Sequence, residues 1–176
     1  NQLTALPNAT GTLSALVELD LGENQLTAIP DAIGTLSDLI NLYLDANQLT
    51  ALPDAIGELS DLEILNLSGN ELTALPDAIT TLSALTSLDL SHNQLTALPS
   101  ALGELELLRL ALHGNDALGL PPEFTGPEEG IYLWNDDEFP LAADVINFLQ
   151  RDSEPVFEAK VLVVGDPHPE NLGTIR

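Results

Sequence analysis

The sequence predicts an α/β fold of the solenoid type, in which short repeated units stack and their strands form one parallel sheet. The first observation is a period of 23 residues between successive asparagines, at Asn1, Asn24, Asn47, Asn70 and Asn93. Leu follows each of these two residues later, and Pro follows six residues later. A fixed period in the 20s is typical of repeat architectures, whose units bury their apolar faces only by stacking on their neighbours.

The first half of each unit predicts a short strand. In the unit 39–61, Leu42 and Leu44 alternate with outward-facing residues, and a period of 2 indicates a strand with one face inward. The unit 85–106 is one residue short. The same apolar positions recur throughout, so we expect a leucine core behind a parallel sheet. The other complete units begin at residues 16, 62 and 107.

The second half of each unit predicts a turn and a short helical segment. The Asn that closes each strand is expected to satisfy backbone groups that the turn leaves unpaired, which is a structural role. The residue after each Pro suits the N-cap of a short helix. These residues are Asp31, Asp54, Asp77 and Ser100. The predicted solenoid is right-handed, with the sheet on the concave side and short helical or 3-10 turns on the convex side.

The unit L-x-x-L-x-L-x-x-N-x-L-x-x-L-P-x-x-I-x-x-L, which occupies residues 1–126, resembles the intracellular leucine-rich repeats of Roco proteins and Ras-pathway scaffolds. Such repeats imply protein interaction in general. The resemblance therefore implies a non-catalytic interaction module, the regulatory or recognition segment of a Roco-type signalling protein. The alternative is the substrate-recognition module of an enzyme outside this sequence, such as a ubiquitin-ligase effector.

The pattern changes after the repeats. Residues 127–151 read as a loop and an amphipathic helix over 140–151, which is expected to cap the last repeat. Residues 152–176 hold a linker, the apolar strand E-A-K-V-L-V-V-G-D and a tail, an order similar to the start of the Roc GTPase domain in Roco proteins. The phosphate loop is missing, because residues 170–172 are Glu, Asn and Leu where Gly, Lys and Ser or Thr are needed. We therefore expect no nucleotide cofactor.

The composition is strongly acidic, with 28 acidic residues, 4 basic residues and a formal net charge of −24. This charge repels phosphate backbones and anionic membranes, so we expect neither nucleic acid nor membrane as a partner and favour a basic protein. The absence of Cys favours a reducing, cytoplasmic location. The acid excess is also typical of proteins from salt-rich cytoplasm, and the alternative is an ordinary acidic solenoid with solvated carboxylates.

The candidate binding residues are the outward side chains of the predicted strands and strand ends, because solenoids present extended concave surfaces to partners. Tyr43 and Ile64 lie on neighbouring strands and are the expected apolar anchor. Acidic residues flank them at the N-terminal end of the sheet. The full predicted set is Glu18, Asp20, Asn41, Tyr43, Asp45, Ile64, Asn66, Asp89, His92, Arg109 and His113.

No catalytic or metal site is predicted. His92 and His113 are close enough in sequence register to share a metal with Asp89, but an open face lacks the dry, supported pocket that catalytic metals use. The sequence contains neither H-E-x-x-H nor G-x-S-x-G. We therefore expect a non-enzymatic protein that needs no metal or cofactor.

Overall fold

The computed structural model describes residues 1–120 and Val145. Three-residue strands alternate with 3-10 helices through residues 1–120, as the repeat pattern predicts. The strands are β1 Glu18–Asp20, β2 Asn41–Tyr43, β3 Ile64–Asn66, β4 Ser87–Asp89 and β5 Arg109–Ala111. The 3-10 helices are Asn8–Thr12, Asp31–Thr35, Asp54–Glu58, Asp77–Thr81, Ser100–Glu104 and Asp116–Leu118.

The five strands form one parallel sheet in chain order. Residues one unit apart lie opposite each other, so that Leu19 pairs with Leu42 and Leu42 with Leu65. The register is kept across the short unit, where Leu88 pairs with Leu110. The predicted parallel sheet is confirmed, and the residue missing from the unit 85–106 is compensated away from the strands.

The core is one continuous cluster of apolar side chains behind the sheet, to which each unit contributes several residues. Leu42, Leu44, Leu49 and Leu59 have no exposed surface, and their equivalents in the unit 62–84 are buried with them, whereas Leu19 in the unit before is partly buried. Burying one such side chain stabilises the fold by about 1.5–3 kcal/mol. Val145 is helical, 2% exposed and part of this core. The predicted loop and capping helix otherwise lie outside the described residues, as does the predicted strand within 152–176.

The Asn that closes each strand binds the unit before it. Asn70 Oδ1 accepts a hydrogen bond from the Leu49 N–H at 3.0 Å. Its Nδ2 donates to the carbonyls of Leu44 at 2.9 Å and Leu67 at 3.0 Å. The same bonds recur at Asn47, Asn93 and Asn115. Leaving one buried polar group unpaired costs about 1–3 kcal/mol, so the predicted structural role is confirmed.

The predicted N-caps of the convex 3-10 helices are wrong by one residue. In the helix that begins at Asp31, the N-cap is Pro30, and its carbonyl accepts the Ile33 N–H at 3.0 Å. Asp54, Asp77 and Ser100 are likewise first residues of helices whose N-caps are prolines. Proline has no side-chain acceptor, so the backbone alone closes these single turns. The acidic side chains that follow are exposed on the convex side.

The residue missing from the fourth complete unit changes the convex side. The residues after three of the 3-10 helices, Leu36, Leu59 and Leu82, bend with ψ of 65°, 70° and 73° and are fully buried. Leu105 occupies the equivalent position but is extended, with ψ of 143°, and only partly buried. Three residues later, Leu108 is 80% exposed. The short unit thus loses a bend and leaves apolar surface exposed.

Candidate interaction surface

Two columns of side chains cross the sheet, and we call them together the strand face. The first column is Glu18, Asn41, Ile64, Ser87 and Arg109. The second column is Asp20, Tyr43, Asn66, Asp89 and Ala111. Members of a column lie in register on neighbouring strands, which are about 4.8 Å apart. The alignment predicted from the sequence is confirmed.

Three members of the second column close the turn after their own strand. Oδ1 of Asp20, Asn66 and Asp89 accepts the backbone N–H two residues later at 2.9, 3.0 and 2.9 Å, respectively. Such turns are a common structural use of Asp and Asn. Asn66 is 7% exposed and Asp89 is 5% exposed, so the expectation that they face solvent is wrong. The sequence analysis missed this role. A signal for it was present, because Asp or Asn at this position is followed two residues later by Gly or Ser, a pattern typical of such turns.

Tyr43 interrupts this series of turn-forming residues. It lies in register between Asp20 and Asn66, and a phenol side chain cannot replace their turn bond. Ile64 belongs to the first column of β3, two residues away from the position opposite Tyr43. The two residues are therefore diagonal neighbours, at about 7–8 Å between their Cα atoms. Both side chains are half-buried, and together they form the apolar part of the strand face.

Carboxylates gather beside Tyr43, where β1 and β2 end. Asp20, Glu23 and Asp45 line an open recess of about 360 Å³ together with Tyr43, Gly22 and Asn1. The terminal amino group of Asn1 donates to the backbone carbonyl of Glu23 at 2.7 Å. Glu23 follows the turn with φ of 53°, the left-handed conformation that the equivalent residue of each unit adopts. We call this space the acidic recess. Its walls come from the partial first unit and the two units that follow it, so its shape depends on their stacking.

Asp45 has a distinct electrostatic environment within the acidic recess. Burial raises the pKa of its carboxyl group, and the negative charges of Asp20 and Glu23 raise it further. Asn66 Nδ2 donates to Asp45 Oδ1 at 3.2 Å. A Cβ atom at Gly22 would lie 2.9 Å from the same oxygen, so Gly22 leaves the room that this carboxylate occupies. The Asp45 side chain is thus held in surroundings that disfavour its ionised form.

The other end of the strand face carries a positive charge. Arg109, the first residue of β5, is the only Lys or Arg within residues 1–120. Burial lowers the pKa of its guanidinium group, and the negative charge of Asp89 acts in the opposite direction. The strand face is therefore acidic around β1 and β2 and basic at β5.

His92 and His113 are in contact, although they do not occupy equivalent positions. Their ring centroids are 4.7 Å apart, with the ring planes at 89°. The backbone N–H of His92 donates to the backbone carbonyl of His113 at 2.7 Å. His92 has φ of 52° and corresponds to Gly114, whereas His113 corresponds to Ser91. His113 is 8% exposed, so the expectation that it faces solvent is wrong. Within the described residues, no three His, Asp or Glu side chains lie together as metal ligands.

A family model described as leucine-rich repeat matches this chain in three overlapping stretches, residues 1–49, 37–95 and 60–117. Among curated proteins, no sequence match is found. Within residues 1–120 and at Val145, the structure has no helix long and apolar enough to cross a membrane.

Four solved structures with the same fold are 28–36% identical to this chain in sequence. The leucine-rich repeat domain of the type III effector XopL is 30% identical; 65% of this chain and 42% of that chain are covered, with a TM-score of 0.58. The leucine-rich repeat ectodomain of the receptor kinase SOBIR1 from Arabidopsis thaliana is 30% identical; the match covers 64% of this chain and 63% of that chain, with a TM-score of 0.57. A leucine-rich repeat protein from Leptospira interrogans is 36% identical; the match covers 64% of this chain and 35% of that chain, with a TM-score of 0.54. The match spans less than two thirds of each of these three proteins. Because the family model matches most of the chain, over residues 1–117, the chain belongs to the leucine-rich repeat family.

Proposed function

We propose that this chain is a protein-interaction module and that its strand face holds the partner. Leucine-rich repeats generally bind proteins, and the concave sheet is the extended surface that such a solenoid offers. The observation that carries the proposal is the pair Tyr43 and Ile64. Both point away from the leucine core, and Tyr43 stands where other units place a turn-forming Asp or Asn. Aromatic side chains at the centre of an interface often dominate binding.

The partner that suits this face is a basic protein. Glu18, Asp20 and Glu23 lie near the apolar pair, and the whole sequence carries a net charge of −24. Opposite charges accelerate association and select against partners of the same sign. The same charge opposes binding to nucleic acid and to anionic membranes.

The cellular context that we favour is the regulatory or recognition segment of a Roco-type signalling protein in the cytoplasm. This context rests on the order of segments in residues 121–166, which resembles the junction between repeats and GTPase domain in that family. The alternative is recognition of substrates for an enzyme outside this sequence, such as a ubiquitin-ligase effector. It draws support from the similarity to the repeat domain of a type III effector. In both contexts the chain itself is non-catalytic.

The double variant Y43S/I64S tests the proposed surface. Immobilised protein captures partners from the source organism's lysate, and chemical crosslinking with mass spectrometry maps the contact. We expect capture to weaken by about tenfold or more, the scale expected when interface anchors are truncated. The melting temperature should change little, because neither side chain belongs to the buried core.

A matched control places two serines away from the strand face. Ala28 and Ala51 are exposed and occupy equivalent positions outside the strands. The variant A28S/A51S should capture partners as the unmodified protein does. If Y43S/I64S captures normally while A28S/A51S does not, the partner binds elsewhere and the proposed surface is wrong.

A further inference from the structure

We infer that the strand face binds an extended segment of a basic partner, with one Lys or Arg side chain of that segment in the acidic recess beside Tyr43. The inference rests on the proposed function and specifies the chemistry of the partner. It starts from the strand face, whose apolar pair adjoins a recess of about 360 Å³. The recess has the ring of Tyr43 on one side, and its other lining includes the carboxylates of Asp20, Glu23 and Asp45 together with Asn1.

Charge complementarity identifies the group that fits this recess. Within residues 1–120, Asp20, Glu23 and Asp45 have no Lys or Arg near them, because Arg109 lies on β5, three strands away from β2. Three strand spacings amount to about 14 Å, which exceeds the Debye length at physiological ionic strength. The terminal amino group of Asn1 lies beside the recess, where it donates to the backbone carbonyl of Glu23 at 2.7 Å. Burial is the main cause of the raised pKa of Asp45, and the negative charges of Asp20 and Glu23 add to it. A cation supplied by a partner would relieve the repulsion between these charges. The ring of Tyr43 would add a cation–π contact.

A side-chain cation fits the recess better than a metal ion. Oδ1 of Asp20 already accepts the Gly22 N–H, and Oδ1 of Asp45 already accepts from Asn66. The described residues hold no cluster of three acidic or histidine ligands that would surround a metal. A guanidinium or ammonium group needs no closed shell of ligands, and its flexible stem packs against an aromatic ring.

The charges also set the direction in which the segment binds. A cation at β1 and β2 is attracted, whereas a second cation at β5 would meet Arg109. With its basic side chain in the acidic recess, the segment would cross Ile64 next and reach β5 with a neutral or acidic residue. The distance of about 14 Å between β2 and β5 corresponds to about four residues of extended chain.

The test uses two synthetic peptides, acetyl-Arg-Ser-Leu-Ser-Ser-amide and the same peptide with citrulline in place of Arg. Citrulline keeps the shape of the side chain and removes its charge. The peptides are titrated into the protein at low salt and followed by NMR. We expect the Arg peptide to shift the amide signals of Gly22, Tyr43 and Asp45 and to bind about tenfold more tightly than the citrulline peptide, as for a fully formed charge contact.

Two charge variants separate the recess from the overall charge. D20N/D45N removes two charges and keeps the acceptor oxygens used by Gly22 and Asn66. D31N/D54N removes the same number of charges from the exposed convex side. We expect the first variant to weaken the Arg peptide about tenfold and the second less than about twofold. Equal affinities for both peptides, or equal losses in both variants, would overturn the inference.

The capture assay distinguishes failure of the inference from failure of the proposed function. If Y43S/I64S loses the captured partner and D20N/D45N retains it at full strength, the strand face binds a protein but the acidic recess takes no cation. If both variants retain the partner, the proposed surface is wrong as well. Loss of capture in both variants supports the inference.

Discussion

Asn66 donates a hydrogen bond from its Nδ2 to Asp45 Oδ1 at 3.2 Å, across the boundary between two units. The bond holds the Asp45 carboxylate over Gly22, whose missing side chain leaves the space for it. The acidic recess is therefore fixed by three successive units, and its geometry depends on their register. This relationship links the stacking of the fold to the electrostatics of the candidate surface.

The raised pKa of Asp45 predicts a specific dependence of stability on pH. Because the folded state raises this pKa above its ordinary value of 3.8, the folded protein binds the proton more tightly than the unfolded chain. This contribution to stability is complete below 3.8 and is lost as the pH rises through the folded value. D45N, which stays neutral, should therefore be more stable than the unmodified protein at neutral pH.

Urea unfolding of D45N and of the unmodified protein at several pH values checks this prediction. The difference in the free energy of unfolding should shrink as the pH falls towards 3.8. D31N is the control, because Asp31 is exposed on the convex side. A stability gain of D45N that is independent of pH would contradict the assigned cause.

The asparagine ladder predicts a large cost for N70A. This variant leaves the Leu49 N–H and the carbonyls of Leu44 and Leu67 without their amide partner inside the fold. We expect the free energy of unfolding to fall by about 2–3 kcal/mol, within the range for unpaired buried groups. The control N41A removes a half-exposed amide on the strand face and should cost less than about 0.5 kcal/mol. Equal losses in the two variants, measured by urea unfolding, would exclude the ladder as the cause.

The sequence alone was sufficient to predict the parallel sheet, because two independent periods in it place the strands at the same positions. The period of 23 residues aligns the units, and the alternation of Leu42 and Leu44 with outward residues defines the strand. Register then follows, since a slip of one residue would turn the leucines out of the core. The diagonal relation between Tyr43 and Ile64 is a consequence of the same register.

The alternation could not predict the environment of the outward residues. Asn66 and Asp89 point out of the sheet as expected, yet their turn bonds fold each side chain back against its own backbone and bury it. The structural effect of the short unit could not be predicted from the sequence either. Sequence shows that one residue is missing from the unit 85–106, but not that the bend at Leu105 is the part that is lost.

The absence of a phosphate loop predicts that the protein does not bind guanine nucleotides. Pro167 and Pro169 remove N–H donors that would hold a phosphate, and Asn171 replaces the Lys that would reach it. Isothermal titration calorimetry with GTP and GDP in the presence of Mg²⁺ should show only weak, nonspecific heats. Micromolar affinity for either nucleotide would contradict this prediction.

The acidic composition predicts that salt stabilises the protein. A net charge of −24 repels itself along an elongated fold, and the Debye length shortens to about 3 Å at 1 M salt. The melting temperature should therefore rise strongly between low salt and molar KCl. The variant D31N/D54N/D77N carries three fewer charges on the convex side and should show a smaller rise. A flat melting curve for the unmodified protein would argue against salt adaptation.

The short unit predicts that one inserted residue will stabilise the solenoid. A Ser inserted between Leu105 and Glu106 restores the 23-residue spacing and gives Leu105 the neighbours that Leu36, Leu59 and Leu82 have. Those three leucines are buried and their backbones bend, whereas Leu105 is extended and partly exposed. We expect the free energy of unfolding to rise by about 1 kcal/mol, a fraction of the value for burying a whole leucine side chain.

A matched insertion shows whether the spacing itself is responsible. A Ser inserted directly after Leu36 lengthens a unit that already has 23 residues, and it should destabilise the protein by displacing a buried leucine. Hydrogen exchange of the Leu107 amide reports locally on the repaired unit, because Leu107 is the buried residue that follows the missing bend. Slower exchange there with the first insertion and faster global unfolding with the second are the expected pair of results. Destabilisation by both insertions would show that the extended backbone at Leu105 is already the best solution for this unit.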